Sequence, residues 1–361
     1  MQGQDSGISR RKAISTLAVT ALGSAGCIRI KSSSPEPWEP DPDRLRWRHD
    51  TGNRIPSSPV VADGTLYIGG FDKRLHSLDV ESGTLEWTFE TGGKVSSDPV
   101  IGDRTIYFGS QDGFLYALDE SGTETWRFET DDGIYSSHPF ADGDTIYVGS
   151  ADGNVYAIDS ASGTRKWAFQ TNAGVFSGPT VFDGTVYVGG RDASLYALDS
   201  VDATVVWTHK TGDSVDVTPA VTEEIVLFGS KDSRFYTLDR STGTVIWSRN
   251  VEAGINSAPI LASGTVYFGD WKGEFHALTA KSGDSRWTSD VPDGPINSKP
   301  TVVDGVVYVG DSRGYLHAFD ADTGDHHWKY ETGNAVNSSP VVTDDTIYFG
   351  SNDGHIYAIE R

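Results

Sequence analysis

Thr105-Ile106-Tyr107-Phe108-Gly109-Ser110-Gln111-Asp112-Gly113-Phe114-Leu115-Tyr116-Ala117-Leu118-Asp119 is the stretch that decides the fold. Two β-rich runs flank Asp112-Gly113, a pair that supplies the positive φ angles of a tight hairpin. Upstream, Ser97-Asp98-Pro99-Val100-Ile101 predicts a short strand opening on a proline, which an edge strand accepts. Downstream, Glu120-Ser121-Gly122-Thr123 predicts a second turn, and Thr125-Trp126-Arg127-Phe128 a fourth strand. Four strands fill about 40 residues with no helical period, which is the pattern of one propeller blade.

The unit recurs along the chain. Trp47, Trp87, Trp126, Trp167, Trp207, Trp247, Trp287 and Trp328 form one column, and eight prolines from Pro59 to Pro340 form a second. A third runs from Tyr67 to Tyr348, with Leu227 as its one exception and a glycine two residues after each member. Three columns with one period exclude chance composition. The last copy stops at Arg361 after its third strand, while Arg46-Trp47-Arg48 precedes the first proline strand without a blade of its own. The expected fold is therefore all-β: an eight-bladed β-propeller of four-stranded antiparallel blades over 45–361. Its ring closes by the N-terminal strand pairing into the last blade. The eight Trp are expected to be structural, each burying surface between blades.

The chain has 361 residues with 51 acidic and 29 basic side chains, a formal net charge of −22. That balance excludes a phosphate-binding face, so no nucleic-acid partner is expected. Asp supplies 37 of the acids and Lys 11 of the bases, a skew expected of an acidic surface adapted to high salt. The one cysteine excludes an intramolecular disulfide and a cysteine zinc cluster. It is Cys27, and it follows Arg10-Arg11-Lys12 and an uncharged stretch that is too short to span a bilayer. Residues 1–27 thus resemble an export signal of the twin-arginine type, carried by Arg10 and Arg11, with a lipobox-like end at Cys27. Ser24 departs from that pattern. Residues 28–44, with Ser32-Ser33-Ser34 and four prolines, predict a disordered tether. The implied location is extracytoplasmic, anchored to the outer side of the cell membrane through a lipid only.

Tyr156-Ala157-Ile158-Asp159 with Gly163 and Trp167 resembles the PQQ-like repeat, as does Tyr236-Thr237-Leu238-Asp239 with Gly243 and Trp247. Ala318-Phe319-Asp320 with Gly324 and Trp328 does so too, and the likeness covers 45–361. Ala203 in place of the glycine and Thr279 in place of the aspartate depart from it. The resemblance implies that the segment ending at the glycine docks the Trp of the preceding blade. It also implies one of two functions. Quinoprotein dehydrogenases of this family bind PQQ and Ca²⁺ and carry long loops and vicinal cysteines. Compact eight-bladed lipoproteins, such as the bacterial outer-membrane assembly lipoprotein, bind proteins without a cofactor. With one cysteine and uniform repeats, this chain sorts to the second kind.

No catalytic or metal-ligating constellation stands out, and His326-His327 read as solvated surface. Two sets of loops are expected on one face. There Asp216, Asn256, Asn297 and Asn337, each three residues before a proline, form a polar arc at the channel mouth. Asx turn-capping is the competing explanation. The turn after each Tyr-x-Gly carries Asp72, Asp112, Asp152, Asp192, Asp232 and Asp353, and blades 6 and 7 break this series with Trp271 and Ser312. Trp271, Lys272, Arg234 and Arg313 are the expected partner face. The function expected is a monomeric, non-catalytic platform for envelope or secreted protein partners, with no cofactor. The alternatives are a minimal quinoprotein dehydrogenase using PQQ and Ca²⁺ on the polar arc, or an extracytoplasmic binder of small solutes.

Overall fold

The computed structural model describes residues 41–290 and 294–361. Arg10, Arg11, Cys27 and the tether up to residue 40 lie outside the described residues. The described chain forms eight four-stranded antiparallel sheets. Blade 2 is built from Val100–Gly102, Thr105–Gly109, Phe114–Leu118 and Glu124–Glu129. Its proline stands just ahead of the inner strand rather than inside it, where its missing N–H costs the ladder nothing. The other blades follow the same plan. In the last, Leu45–Asp50 pairs with His355–Glu360, with Trp47 opposite Ala358, and so completes the sheet. The expected closure is what forms.

Sequence explains the layering. Second and third strands are buried over consecutive residues, as in Leu66, Tyr67 and Ile68, because blades cover both faces of each sheet. Outer strands alternate, with the Trp turned inward and its neighbours wet. Two devices join one blade to the next. The first is a glycine socket. Gly69, Gly109, Gly149, Gly189, Gly229, Gly269, Gly310 and Gly350 each receive a Val or Ile from the loop entering the next blade. A Cβ on any of them would lie within 2.1 to 2.4 Å of an atom of that residue. Ile55 in the socket of Gly350 makes the joint between blades 8 and 1.

The second device is the Trp dock, as the family resemblance implies. Seven indole N–H groups, from Trp47 to Trp287, donate to a carbonyl of the following blade at 2.9 to 3.1 Å. The indole ring lies on the turn glycine of that blade. A Cβ on Gly163, for instance, would stand 2.7 Å from the ring of Trp126. Ala203 takes this place opposite Trp167 and accepts a φ of 63° to do so.

Trp328 has no such turn to meet. Instead Pro42–Arg44 form a 3-10 turn, and the Arg44 guanidinium lies 4.1 Å above the Trp328 ring. The Asp41 N–H donates to the Lys329 carbonyl. Residues 41–44, which the sequence reading assigns to the tether, therefore pack on the ring.

Candidate functional site

Loops entering the blades and turns between second and third strands gather on one face. Backbone bonds tie them pairwise. Phe71, Gln111, Ala151, Arg191, Lys231, Trp271, Ser312 and Asn352 each donate an N–H to the entry loop of their own blade. This shared bond sets the register, and it corrects the sequence reading. Trp271 and Ser312 do not replace the turn aspartates; they belong to the column one position earlier. The residues standing in the aspartate column of blades 6 and 7 are Lys272 and Arg313.

The aspartates themselves are latches. Asp112 accepts the Phe114 N–H, the Tyr116 hydroxyl at 2.9 Å and the Gly92 N–H of the entry loop. Asp152, Asp192, Asp232 and Asp353 do likewise with Tyr156, Tyr196, Tyr236 and Tyr357. Burial, and then the bond to Asp192, push the Tyr196 phenol up to about 12. In blades 6 and 7 the carboxylate moves two positions back, to Asp270 and Asp311, which are 0% and 1% exposed. Each caps its turn with one oxygen and faces an imidazole with the other, His276 and His317, both at 3.1 Å. With the latch relocated, Lys272 and Arg313 do not serve it. His326 turns inward to His317 at 3.1 Å while His327 stays exposed, so the pair read as surface divides.

Asp270, Glu274 and His276 bring one ligand atom each within 4.8 Å of one another. Sequence spacing gave no sign of this set. The Asp270 carboxylate is already committed to its turn and to His276, so the latch accounts for the cluster.

The polar arc bonds elsewhere than to its own turns: the three asparagine side chains bond to one another, and Asp216 bonds to two cations. Asp216, its side chain 6% exposed, holds Lys231 at 2.6 Å and Arg191 at 3.0 Å. The Trp271 indole N–H donates to Asn297 Oδ1 at 3.2 Å. The Asn297 amide in turn reaches Ser312 and Asn337, and the Asn256 amide reaches Asn297. PQQ with Ca²⁺ does not fit this arc. Its one carboxylate already carries two cations, and its amides are engaged with each other.

Aromatic rings with cations over them circle the same mouth. Tyr135 stacks on Phe176 at 5.2 Å, and Arg191 lies 3.3 Å over Phe176. Lys94 lies over Phe71 and Lys231 over Trp271, at 4.5 and 5.5 Å. Trp271 is 41% exposed. Of the other expected partner-face residues, Lys272 pairs with Glu252, and Arg234 reaches Ser248 at 3.5 Å on the exposed flank. Arg313 is exposed.

A cavity of about 970 Å³ opens at this mouth and takes in Phe71, Arg191, Asp216, Lys231 and Trp271. The residue just before each proline lines it: Ser58, Asp98, His138, Thr218, Ala258, Lys299 and Ser339, with Gly178 at the equivalent place in blade 4. The sequence reading examined the position two residues earlier and missed this tier. A column holding Asp, His and Lys among small residues was the signal available.

A family profile described as "Outer membrane protein assembly factor BamB" matches residues 36–136, 111–268 and 231–361. No curated protein sequence matches. Among solved structures, BamB from Moraxella catarrhalis superposes with a TM-score of 0.78 at 19% identity, covering 88% of this chain and 99% of its own. A computationally designed protein gives a TM-score of 0.78 at 16% identity, with 87% of this chain and 98% of that one covered. Quinohemoprotein alcohol dehydrogenase ADHIIG from Pseudomonas putida HK5 gives 0.75 at 15% identity, with 88% and 76% covered. At these identities the structures share the fold.

Proposed function

The chain belongs to the family described as outer membrane protein assembly factor BamB, and from this premise we propose that it is a non-catalytic protein-interaction platform of the cell envelope. In this reading Arg10 and Arg11 direct export, Cys27 carries a lipid, and the propeller stands outside the membrane on its tether. The observation that supports it is the mouth face. Trp271, Phe176, Tyr135 and Phe71 are partly or largely exposed; Trp271 is held by a hydrogen bond and Phe176 and Tyr135 by stacking, and Arg191, Lys94 and Lys231 accompany the rings. Aromatic and Arg side chains fixed in advance are the residues that dominate protein interfaces, because little entropy is lost when they dock. The face is centred nearer the axis than the Lys272, Arg234 and Arg313 flank. The polar arc serves it by fixing Trp271 and the two cations.

The test is crosslinking in intact cells followed by recovery of the full chain. Trp271→Ala and Phe176→Ala are each expected to lose the crosslinked species while unfolding at the wild-type temperature. Undiminished capture by both variants refutes this face. The enzyme reading has its own check, a titration of the chain with PQQ and Ca²⁺ beside a dye-reduction assay on simple alcohols. Tight binding with dye reduction would overturn the non-catalytic reading.

A further inference from the structure

The tier of side chains just before the prolines holds two opposite charges that the fold positions but does not join. The Asp98 carboxylate accepts the Ser58 N–H at 2.6 Å through Oδ1, and its Oδ2 stands 3.7 Å from His138 Nδ1. Across the lumen, the Lys299 N–H donates to Ser339 Oγ at 3.0 Å, and the Ser339 N–H donates to Ser58 Oγ at 2.9 Å. A hydrogen-bonded line thus runs Lys299–Ser339–Ser58–Asp98 through blades 7, 8, 1 and 2. It fixes the backbone of Lys299 and the carboxylate of Asp98. The Lys299 ammonium itself has no carboxylate within 4.0 Å among the described residues.

The tier continues through blade 3. His138 Nε2 and the Thr218 hydroxyl lie 2.9 Å apart, so the imidazole spans the whole of blade 4. Only glycine permits this. A Cβ on Gly178 would stand 2.5 Å from His138 Nε2 and 2.7 Å from Thr218 Oγ1. Burial, against the pull of the Asp98 carboxylate, holds the His138 pKa below the ordinary histidine range. Channel water reaches Lys299, yet its walls strip enough solvent to hold the ammonium below the ordinary lysine range.

At this tier the lumen therefore presents one anion and one cation with no direct bond between them, together with an imidazole and hydroxyls, while Asp216 with Lys231 and Arg191 neutralise one another elsewhere in the same cavity. A simple anion would meet Asp98, and a simple cation would meet Lys299. A molecule carrying both charges satisfies both. Deeper walls of Val60, Ile260, Val302 and Val341 accept an apolar substituent. We propose that this tier binds a small zwitterion of the α-amino-acid class, its carboxylate on Lys299 and its ammonium on Asp98. The site opens into the same cavity as the mouth face but is built from different residues, and it does not depend on the platform reading.

The experiment is isothermal titration calorimetry of the full chain with l-valine, l-alanine and l-proline. Isovalerate and isobutylamine serve as analogues of valine lacking one charge each. At least one amino acid is expected to bind, and each analogue to bind roughly tenfold or more weakly than valine, since each forfeits a charge-assisted contact. Lys299→Met and Asp98→Asn are each expected to weaken amino-acid binding by a similar factor. Ala258→Phe adds bulk to the lumen at the same tier without altering a charge, and should abolish binding in a chain that still unfolds in one cooperative thermal transition. No binding by any of the three amino acids overturns the proposal. So does isovalerate binding as tightly as valine, or undiminished binding by Ala258→Phe. If Asp98→Asn fails to fold, Lys299→Met and Ala258→Phe still decide the matter.

Discussion

Gly109→Ala measures what the glycine sockets contribute. The new methyl carbon would sit 2.1 Å from Ile134 Cγ2 and 2.8 Å from its Cβ. Nonbonded carbons prefer about 3.5–4.0 Å, so one partner must retreat by more than an ångström. Ile134 is 0% exposed and packs in the core between blades 2 and 3. Its retreat therefore displaces neighbours, and overpacking of this kind costs about 1–3 kcal/mol. Gly102→Ala is the control, since its Cβ would meet Ala141 Cβ at 3.2 Å and Tyr107 Cε2 at 3.6 Å. That crowding is relieved by a few tenths of an ångström, and the expected cost stays within about 0.5 kcal/mol. The assay is guanidinium unfolding of the full chain, followed by tryptophan fluorescence and comparing midpoints. Ile134→Ala alone should cost about 2–5 kcal/mol. In the double variant the added methyl takes back part of the vacated space, so the double should cost less than the sum. The socket argument fails if Gly109→Ala is as mild as Gly102→Ala, or if the two changes simply add.

Arg44→Ala removes the cover of Trp328 and should lower stability by about 0.5–1 kcal/mol, read as a shifted denaturation midpoint; an unchanged midpoint would show that the 3-10 turn adds nothing to the ring. Ala203→Gly should raise the unfolding temperature, since the φ of 63° strains alanine and suits glycine. A lowered temperature would mean that the methyl packs against Trp167 to better effect than the strain costs. The Tyr196 phenol is about 12 in the fold and near 10 when unfolded, so its contribution is complete below about pH 10 and is lost as pH rises through about 12. Tyr196→Phe should accordingly lose less stability than wild type between pH 10 and 12 in thermal melts. Identical alkaline loss in both would exclude the latch as its source.

The blade plan, the ring closure and the Trp dock were legible because each rests on residues that recur at fixed spacing. Proline, glycine and Trp impose their geometry locally, so a column of eight states its own role. The site was less legible for the same reason. Function at the mouth lies in residues that differ from blade to blade, and their alignment depends on a backbone bond that no side chain announces. Trp271 was set one position late because Lys272 and Arg313 interrupt the aspartate column, while Asp270 and Asp311 perform its task two residues earlier. The charged tier was missed through a choice of phase. Residues one and three before the proline both face the axis, and nothing in an irregular loop distinguishes mouth from lumen. Asp98 and Lys299 are about 200 residues apart in sequence and face one cavity only because the ring bends.

The pairing of Leu45–Asp50 with His355–Glu360 also orders events in time. A ribosome releases the first strand about 300 residues before its partner. Seven sheets can each form from contiguous chain as it emerges, every one docking on the last. The eighth cannot. Until its two ends meet, one curved stack of blades carries an open edge on its final strand and an unfilled socket at Gly350. The propeller strand made first is thus the piece placed last, and the ring works as a bracelet whose clasp is cast ahead of its links and fastened at the end.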